Sequence, residues 1–380
     1  MSSPQRFVLK FIILAVMLLG LPLVGVLVAG LPVTRYLEFP PQTRYVQQAP
    51  FSWPAFIVIV CLILASVLPP AIKGIQSYRK TPHPAAPPTA YPFPWWGWIG
   101  TFTGVTAWIL AWTRFAWFAD YQAHTFSPLW FSYILVVNAL CWRRTGKSLM
   151  TDRPGFFMLL FPASAAFWWF FEYLNRFVQN WYYVGAQFSA WTYFWYATLP
   201  FSTVLPAVLS TRQYLLGANW ISRGYSQIRP LKWSRPVPIA LVFLLLAAAG
   251  LAGIGIQPNY LFPFLWVSPL LIIICLQTLM KEGHIISQMA AGNWRGAVAA
   301  ALAAVICGGF WEMWNYFSLA KWEYSIPLVH RYQIFEMPLL GYAGYLPFGL
   351  ECAAIGDLLG VLFRKGSSLN LTANHAEDVI

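Results

Sequence analysis

The chain has 380 residues, of which 59% are hydrophobic and only 9% charged, and its mean hydropathy is +0.57. A soluble domain carries about 25% charged residues, so a soluble globular protein is excluded and the apolar surplus requires lipid to cover it. The net charge of +12 does not indicate a nucleic-acid partner, because the basic residues sit in short loops between apolar segments, where orientation in a membrane accounts for them.

A membrane-spanning helix needs about 20 mostly apolar residues. Ten segments qualify in chain order: 7–31, 54–72, 95–118, 126–142, 156–177, 188–209, 237–256, 260–280, 296–317 and 338–363. The first is interrupted by Lys10, is long for a signal-peptide core and is followed by no small-x-small cleavage pattern, so it reads as an uncleaved span. Residues 1–79 thus hold two N-terminal helices. The stretch KTPHPAAPPTAYPFP at 80–94 reads as a cytoplasmic linker, since prolines favour extended backbone and stop helices. A first four-helix group occupies 95–210, a basic cytoplasmic loop 211–236, a second four-helix group 237–365 and a polar tail 366–380.

Lysine and arginine alternate by side. The N-terminus, loops 73–94, 143–155, 210–236 and 281–295, and the tail carry 18 of the 24; the intervening loops carry Arg35, Arg44, Arg176, Lys321 and Arg331, and Arg114 falls within a span. This asymmetry places both termini in the cytoplasm and favours an even number of spans. The sequence therefore predicts an all-α polytopic protein of a cell membrane, a bacterial inner membrane, with about ten transmembrane helices and membrane lipids as its surroundings.

Two aromatic stretches, FWWFFEYLNRFVQNWYY at 167–183 and GFWEMWNYFSLAKWEY at 309–324, match one another. Glu172-x-x-Asn175 corresponds to Glu312-x-x-Asn315 and Trp181-Tyr-Tyr183 to Trp322-Glu-Tyr324. Trp130 and Ser132 precede the first as Trp266 and Ser268 precede the second, and Pro200 and Pro206 follow it as Pro338 and Pro347 follow the second. The order is constant and the offsets lie between 136 and 141 residues. This predicts two parallel four-helix repeats, since an even number of spans per unit makes both enter the membrane the same way.

Ionisable side chains inside a membrane face protein and often mark function. Positions i and i+3 of a helix share a face, so each Glu-x-x-Asn presents a carboxyl beside an amide able to hydrogen-bond it in either protonation state. A carboxyl buried among aromatic rings is favoured in its neutral form and suits general acid catalysis, with ring faces to stabilise a developing cation. Arg176 lies four residues after Glu172 and predicts a structural ion pair there. The matching position of the second copy is Tyr316, which makes Glu312 the better chemical candidate, with Asn315 orienting it and Glu336 as a second carboxylate; Arg114 is an alternative partner for Glu312. Trp311, Trp314 and Trp322 are expected to line the pocket, with Glu172, Asn175 and Glu351 also contributing, in a cavity between the two halves. Glu351 follows GYAGYLPFGL (341–350), whose glycines and proline loosen the helix, and Asp357 is expected to meet Arg364 or Lys365.

The five cysteines are scattered singly in apolar runs and His124, His284 and His330 in different loops, so no metal site, disulfide framework or cofactor is expected. No P-loop, dinucleotide fingerprint or nucleophile elbow is present.

In the order Cys141-Trp-Arg-Arg144, Phe171-Glu172, Trp181-Tyr-Tyr183, Leu199-Pro200, and in Ile334-Phe-Glu336-Met-Pro338 with Leu346-Pro347, the plan of each unit resembles that of the integral-membrane lycopene cyclases and related carotenoid-modifying proteins. Where that family carries paired carboxylates after Leu-Pro, this chain has Phe201-Ser202 and Phe348-Gly349. The resemblance implies cofactor-free acid catalysis on an isoprenoid. The expected function is accordingly binding or modification of an apolar isoprenoid- or lipid-like molecule. The alternatives are a proton- or ion-coupled transporter using Glu172 and Glu312, or a non-catalytic structural subunit.

Overall fold

Apolar runs bounded by proline and glycine become helices in the computed structural model, which describes residues 3–80, 90–230 and 235–363. Most of the proline-rich linker (81–89) and the tail with Arg364 and Lys365 lie outside the described residues. Of the described residues 74% are helical. The principal helices are α1 (Ser3–Val28), α2 (Trp53–Lys80), α3 (Trp95–Trp112), α4 (Phe126–Thr145), α5 (Pro154–Val178), α6 (Ala190–Phe201), α7 (Val204–Leu216), α8 (Pro236–Gly253), α9 (Phe264–Leu279), α10 (Arg295–Tyr316) and α11 (Tyr345–Gly360). Pro154 and Pro236 occupy first-turn positions of α5 and α8, where their missing N–H and fixed φ cost nothing. Gly146, at φ 71°, ends α4.

Among the described residues, six helices are long and apolar enough to cross a membrane: Phe7–Val28, Trp53–Lys80, Pro154–Val178, Pro236–Gly253, Arg295–Tyr316 and Leu339–Phe363. They fit a multi-pass membrane protein. The segment read as a single span at 188–209 is two helices, α6 and α7, broken at Ser202-Thr203. The segment at 126–142 is preceded by a 3₁₀ turn, Ala116–His124, that meets α4 at 68°. Large apolar side chains such as Leu62, Phe102 and Leu245 are more than 60% exposed on the outer surface, as lipid contact requires.

Helix packing follows one pattern twice. α3 lies on α4 as α8 lies on α9, α4 on α7 as α9 on α11, and α5 on α7 as α10 on α11; α10 also packs on α7. α1 runs along α8, and α2 rests on a short helix, Asn219–Tyr225. Loops sort to two ends. At one, Ser52 N–H donates to Leu328 O (2.8 Å), Leu328 N–H to Ala49 O (3.2 Å) and Ala49 N–H to Asn259 Oδ1 (2.9 Å). At the other, Tyr91 N–H donates to Arg143 O (2.8 Å), Ile228 N–H to Gly292 O (2.9 Å) and Trp294 N–H to Tyr225 O (2.8 Å). Lys10, buried in α1, pairs with Glu282 at 2.7 Å. Each group joins loops that the count of basic residues assigns to the same side.

A two-stranded antiparallel sheet, β1 (Trp181–Val184) with β2 (Lys321–Tyr324), links the segments that follow α5 and α10. Trp181 faces Tyr324, Tyr182 faces Glu323 and Tyr183 faces Trp322. Exchanging each residue for its counterpart 141 positions away returns the same pairs, so the register has a local two-fold axis between Tyr182 and Glu323.

The α1–α8 contact depends on glycine: a Cβ on Gly25 would stand 1.8 Å from Ala252 O, whereas one on Gly20 meets nothing within 4 Å. Gly25→Ala is expected to destabilise the protein by about 2 kcal/mol or more, because the obstructing atom is backbone. Gly20→Ala is expected to leave stability unchanged or slightly raised through helix propensity. Apparent melting temperatures in detergent test both.

Candidate functional site

The two Glu-x-x-Asn motifs close the C-terminal turns of α5 and α10, and each performs the same pair of tasks. The asparagine holds the strand. Asn175 Nδ2 donates to Trp181 O (2.8 Å) and its Oδ1 accepts from Asn180 N–H (2.9 Å). Asn315 Nδ2 donates to Trp322 O (2.7 Å) and its Oδ1 accepts from Trp322 N–H (2.9 Å). The expectation that Asn315 orients the Glu312 carboxyl is therefore corrected: both of its amide ends are occupied by strand backbone. The strand in turn brings a tyrosine back to the glutamate. Tyr183 OH donates to Glu172 Oε1 (2.6 Å) and Tyr324 OH to Glu312 Oε1 (2.7 Å).

The remaining donors differ. Glu172 Oε1 also receives Trp181 Nε1 (3.0 Å) and Trp168 Nε1 (3.2 Å). The position corresponding to Trp168 is Gly308, where a Cβ would come within 2.3 Å of the Tyr345 ring. The missing indole makes room for Tyr345 from α11, whose OH donates to Glu312 Oε1 at 2.7 Å. Trp322 Nε1 donates to Tyr324 OH (2.9 Å), one bond removed from the carboxyl. Glu312 is 0% exposed and its Oε2 has no hydrogen-bond partner in the structure. Such an atom is costly to bury.

Arg176 does not pair with Glu172, contrary to the i, i+4 expectation. Its Nη2 reaches Glu38 Oε2 (2.9 Å) and Arg35 O (3.1 Å) in the segment between α1 and α2, and its carbonyl accepts from Tyr45 OH. The guanidinium extends past the helix end, while Glu172 is turned inward to neutral donors. Gln179 pins the same segment. It sits in the left-handed region (φ 50°), and its side chain accepts from Tyr45 N–H (2.8 Å) and Val46 N–H (2.9 Å). Arg114 is likewise not a partner of Glu312. It donates to the carbonyls of Ala111 (2.9 Å) and Phe317 (2.6 Å), capping the ends of α3 and α10. Glu336 is held by Lys321 Nζ at 2.6 Å, in the turn between the short paired strands Gln333–Ile334 and Met337–Pro338, and not on Glu312.

Aromatic rings fill the space between the two carboxyls, where the sequence suggested a cavity. Trp168 lies 6.3 Å from Trp311 and Trp311 lies 5.9 Å from Tyr345, ring centre to ring centre. The rings cross the molecule reciprocally: Trp130 on α4 meets Trp311 on α10 at 5.0 Å, and Trp266 on α9 meets Phe171 on α5 at 5.2 Å. Trp314 joins this wall through Trp130 (5.2 Å), and Trp322 packs on Phe126 (5.3 Å). Glu351, 1% exposed, lies farther along α11 with an unpartnered Oε2 and is not hydrogen-bonded to Glu312. The residues brought together are therefore Glu312, Trp311, Trp322, Tyr324 and Tyr345, with Asn315 behind them.

Tyr183, Tyr324 and Tyr345 were missed as site residues. The first two carried a signal: two-residue spacing from Trp181 and Trp322 puts ring and phenol on one strand face. Tyr345 comes from a helix 33 residues beyond Glu312, which no local spacing reveals. Among the described residues no group of three or more His, Cys, Asp and Glu side chains is assembled as for a metal ion. No protein-family model matches the chain, and no curated protein and no solved structure matches it.

Asn175→Leu and Asn315→Leu are each expected to cost about 2 kcal/mol, because buried strand backbone loses its partners, and this is read as apparent melting temperature. The Glu38 contact has a pH signature. The Thr43 hydroxyl bonded to Glu38, together with the Arg176 charge, holds its carboxyl below the ordinary glutamate value. A depressed folded value means that the stabilisation is present above the ordinary value and lost as pH falls through the folded one. Acid should therefore lower the wild-type melting temperature more than that of Glu38→Gln, and only slightly, because the pair is partly exposed.

Proposed function

We propose that this protein modifies an apolar isoprenoid- or lipid-like molecule within the membrane by acid catalysis, with Glu312 as the acid. The observation that carries this reading is the division of labour between the two oxygens of one buried carboxyl. Tyr324 and Tyr345 both donate to Oε1, which leaves Oε2 to hold a proton and present it.

Transfer of that proton to a substrate double bond leaves a carboxylate whose negative charge meets two short O–H bonds already in place, as preorganised stabilisation requires. The carbocation formed on the substrate faces Trp311, Trp322 and the neighbouring rings, whose π faces attract cations. Loss of a proton from an adjacent carbon back to Glu312 restores the acid, with a migrated double bond or a closed ring and no change in substrate composition. No cofactor is needed. The resemblance to the membrane lycopene cyclases points the same way. Trp314 and Glu172 act in this reading through the aromatic wall and Asn175 through β1, Glu336 through Lys321, and Glu351 as a further buried polar group on α11.

The architecture that goes with this function is two parallel four-span units, α3–α7 with α6 and α7 together making one broken span, and α8–α11, following a two-helix N-terminal part, for ten passes with both termini cytoplasmic in a bacterial inner membrane. It is supported by the duplicated packing pattern, the self-matching register of β1 and β2, and the sorting of loops into two ends.

Lipid extracts of cells expressing wild type, no protein and Glu312→Gln test the reading. An isoprenoid or lipid present only with the wild type, and reduced about a hundredfold or more by Glu312→Gln, is the expected result for a general acid. Proton-coupled uptake lost in Glu312→Gln with unchanged lipids would instead mark a transporter. Unchanged lipids and uptake, with only stability affected, would mark a structural subunit.

A further inference from the structure

Resting on Glu312 as the acid, we infer that Glu172 is a positioning residue for it: through the β1–β2 sheet, Glu172 sets where the Tyr324 hydroxyl meets the Glu312 carboxyl. Successive strand residues point to opposite faces, so Trp181 and Tyr183 share one face of β1, and Trp322 and Tyr324 share one face of β2. The register pairs Trp181 with Tyr324 and Tyr183 with Trp322, which brings all four onto the same face of the sheet. Tyr182 and Glu323 occupy the other face, where the Tyr182 hydroxyl donates to Glu323 Oε2 (2.9 Å).

All four side chains serve a carboxyl. Trp181 Nε1 (3.0 Å) and Tyr183 OH (2.6 Å) donate to Glu172 Oε1. Tyr324 OH donates to Glu312 Oε1 (2.7 Å), and Trp322 Nε1 donates to the Tyr324 oxygen (2.9 Å). A hydroxyl that accepts a hydrogen bond donates a stronger one, so Trp322 acts on Glu312 through Tyr324. Each cross-strand pair therefore joins a residue held by Glu172 to a residue that serves Glu312: Trp181 to Tyr324, and Tyr183 to Trp322.

The backbone transmits the position. Asn175 Oδ1 accepts from Asn180 N–H (2.9 Å), and Asn180 O accepts from Ser325 N–H (2.7 Å), the residue next to Tyr324. Asn175 and Asn315 occupy the backbone N–H and C=O groups of Trp181 and Trp322. The two pairs on the carboxyl face are therefore the ones that exchange no ladder bonds, and in an antiparallel ladder these bring their side chains closest. The second donor to Glu312, Tyr345, arrives on α11 and does not belong to the sheet. The influence of Glu172 is thus confined to one of the two bonds on Oε1. Its other connection to Glu312 is ring packing alone, from Trp168 to Trp311 (6.3 Å) and Trp311 to Tyr345 (5.9 Å).

The test is the carboxylic-acid C=O band of Glu312 in infrared spectra of the full-length protein at neutral pH, in dodecyl maltoside, which has no ester carbonyl. In each background the band is isolated by subtracting the spectrum of the same protein carrying Glu312→Gln. Oε1 is the carbonyl oxygen when Oε2 holds the proton, so each phenol bond lost from Oε1 raises the frequency, as Tyr324→Phe and Tyr345→Phe are expected to do. Glu172→Met and Tyr183→Phe touch no partner of the Glu312 carboxyl, and both are expected to raise it by less than Tyr324→Phe. Glu172→Gln, which keeps an accepting oxygen, should leave it near the wild-type value. The Glu172→Met increment should persist in Tyr345→Phe protein and vanish in Tyr324→Phe protein, the non-additivity of groups that act through one another. Trp168→Phe, which leaves both β1 donors on Glu172, should not move the band. If Glu172→Met and Tyr183→Phe leave the band unmoved, if the increment survives in Tyr324→Phe protein, or if Trp168→Phe moves the band as far as Tyr183→Phe, positioning through the sheet is overturned and Glu312 remains the acid. If the wild type gives no such band, Glu312 holds no proton and the acid reading itself fails.

Discussion

A carboxyl inside an apolar bundle must find its hydrogen-bond donors among neutral side chains, and this requirement organises the centre of the protein. Neither Glu172 nor Glu312 is met by a cation. Glu172 is met by a phenol and two indoles, one of them from its own helix, and Glu312 by two phenols delivered from β2 and α11. An ion pair at that depth would bring a second group to desolvate, and its attraction often fails to offset that cost. Tyrosine and tryptophan bury well and donate one hydrogen bond each. The aromatic richness of the chain thus serves here as the hydrogen-bonding medium for buried carboxyls.

From that constraint the rest follows in order. A tyrosine can reach back to the helix only if the strand after it is fixed, and the asparagine one turn beyond the glutamate fixes it by holding the backbone at Trp181 or Trp322. Two strands so fixed lie edge to edge and complete each other's hydrogen bonds as β1 and β2. The sheet is short, yet it joins the two halves where the acids sit. Below it, Trp130 and Trp266 each reach across to the opposite half, so the interface is bound by side chains as well as backbone.

Much of this was legible from the chain. Apolar length and proline or glycine boundaries located most of the helices, although 188–209 is two helices and not one, and the paired motifs located both carboxyls; the strands β1 and β2 that serve them were not foreseen in an all-helical reading. What could not be read was the choice of partner for each charge. The spacing of Glu172 and Arg176 fits a helical ion pair, but at the last turn the arginine reaches beyond the helix end and finds Glu38, 138 residues away in sequence. Glu312 and Tyr345 meet by the packing of α10 on α11, which spacing along either helix does not encode. Gly308 and Gly309 are adjacent in sequence, yet they face different neighbours, one a phenol ring and the other open space.

The difference between the two acids is the more informative for arising on such similar frameworks. Around Glu172, Trp168 supplies a donor from within the same helix, so that node is closed by its own sequence and needs no neighbour to move. Around Glu312, the equivalent position carries no side chain, and the donor comes from a separate helix that begins beside the 3₁₀ turn under α2. A contact made between elements can be altered by shifting one of them, whereas a contact made within a turn cannot. What separates the two nodes is therefore the source of the donors: Glu172 takes one from its own helix and two from β1, whereas Glu312 takes one from β2 and one from α11, so only the second depends on how two helices pack.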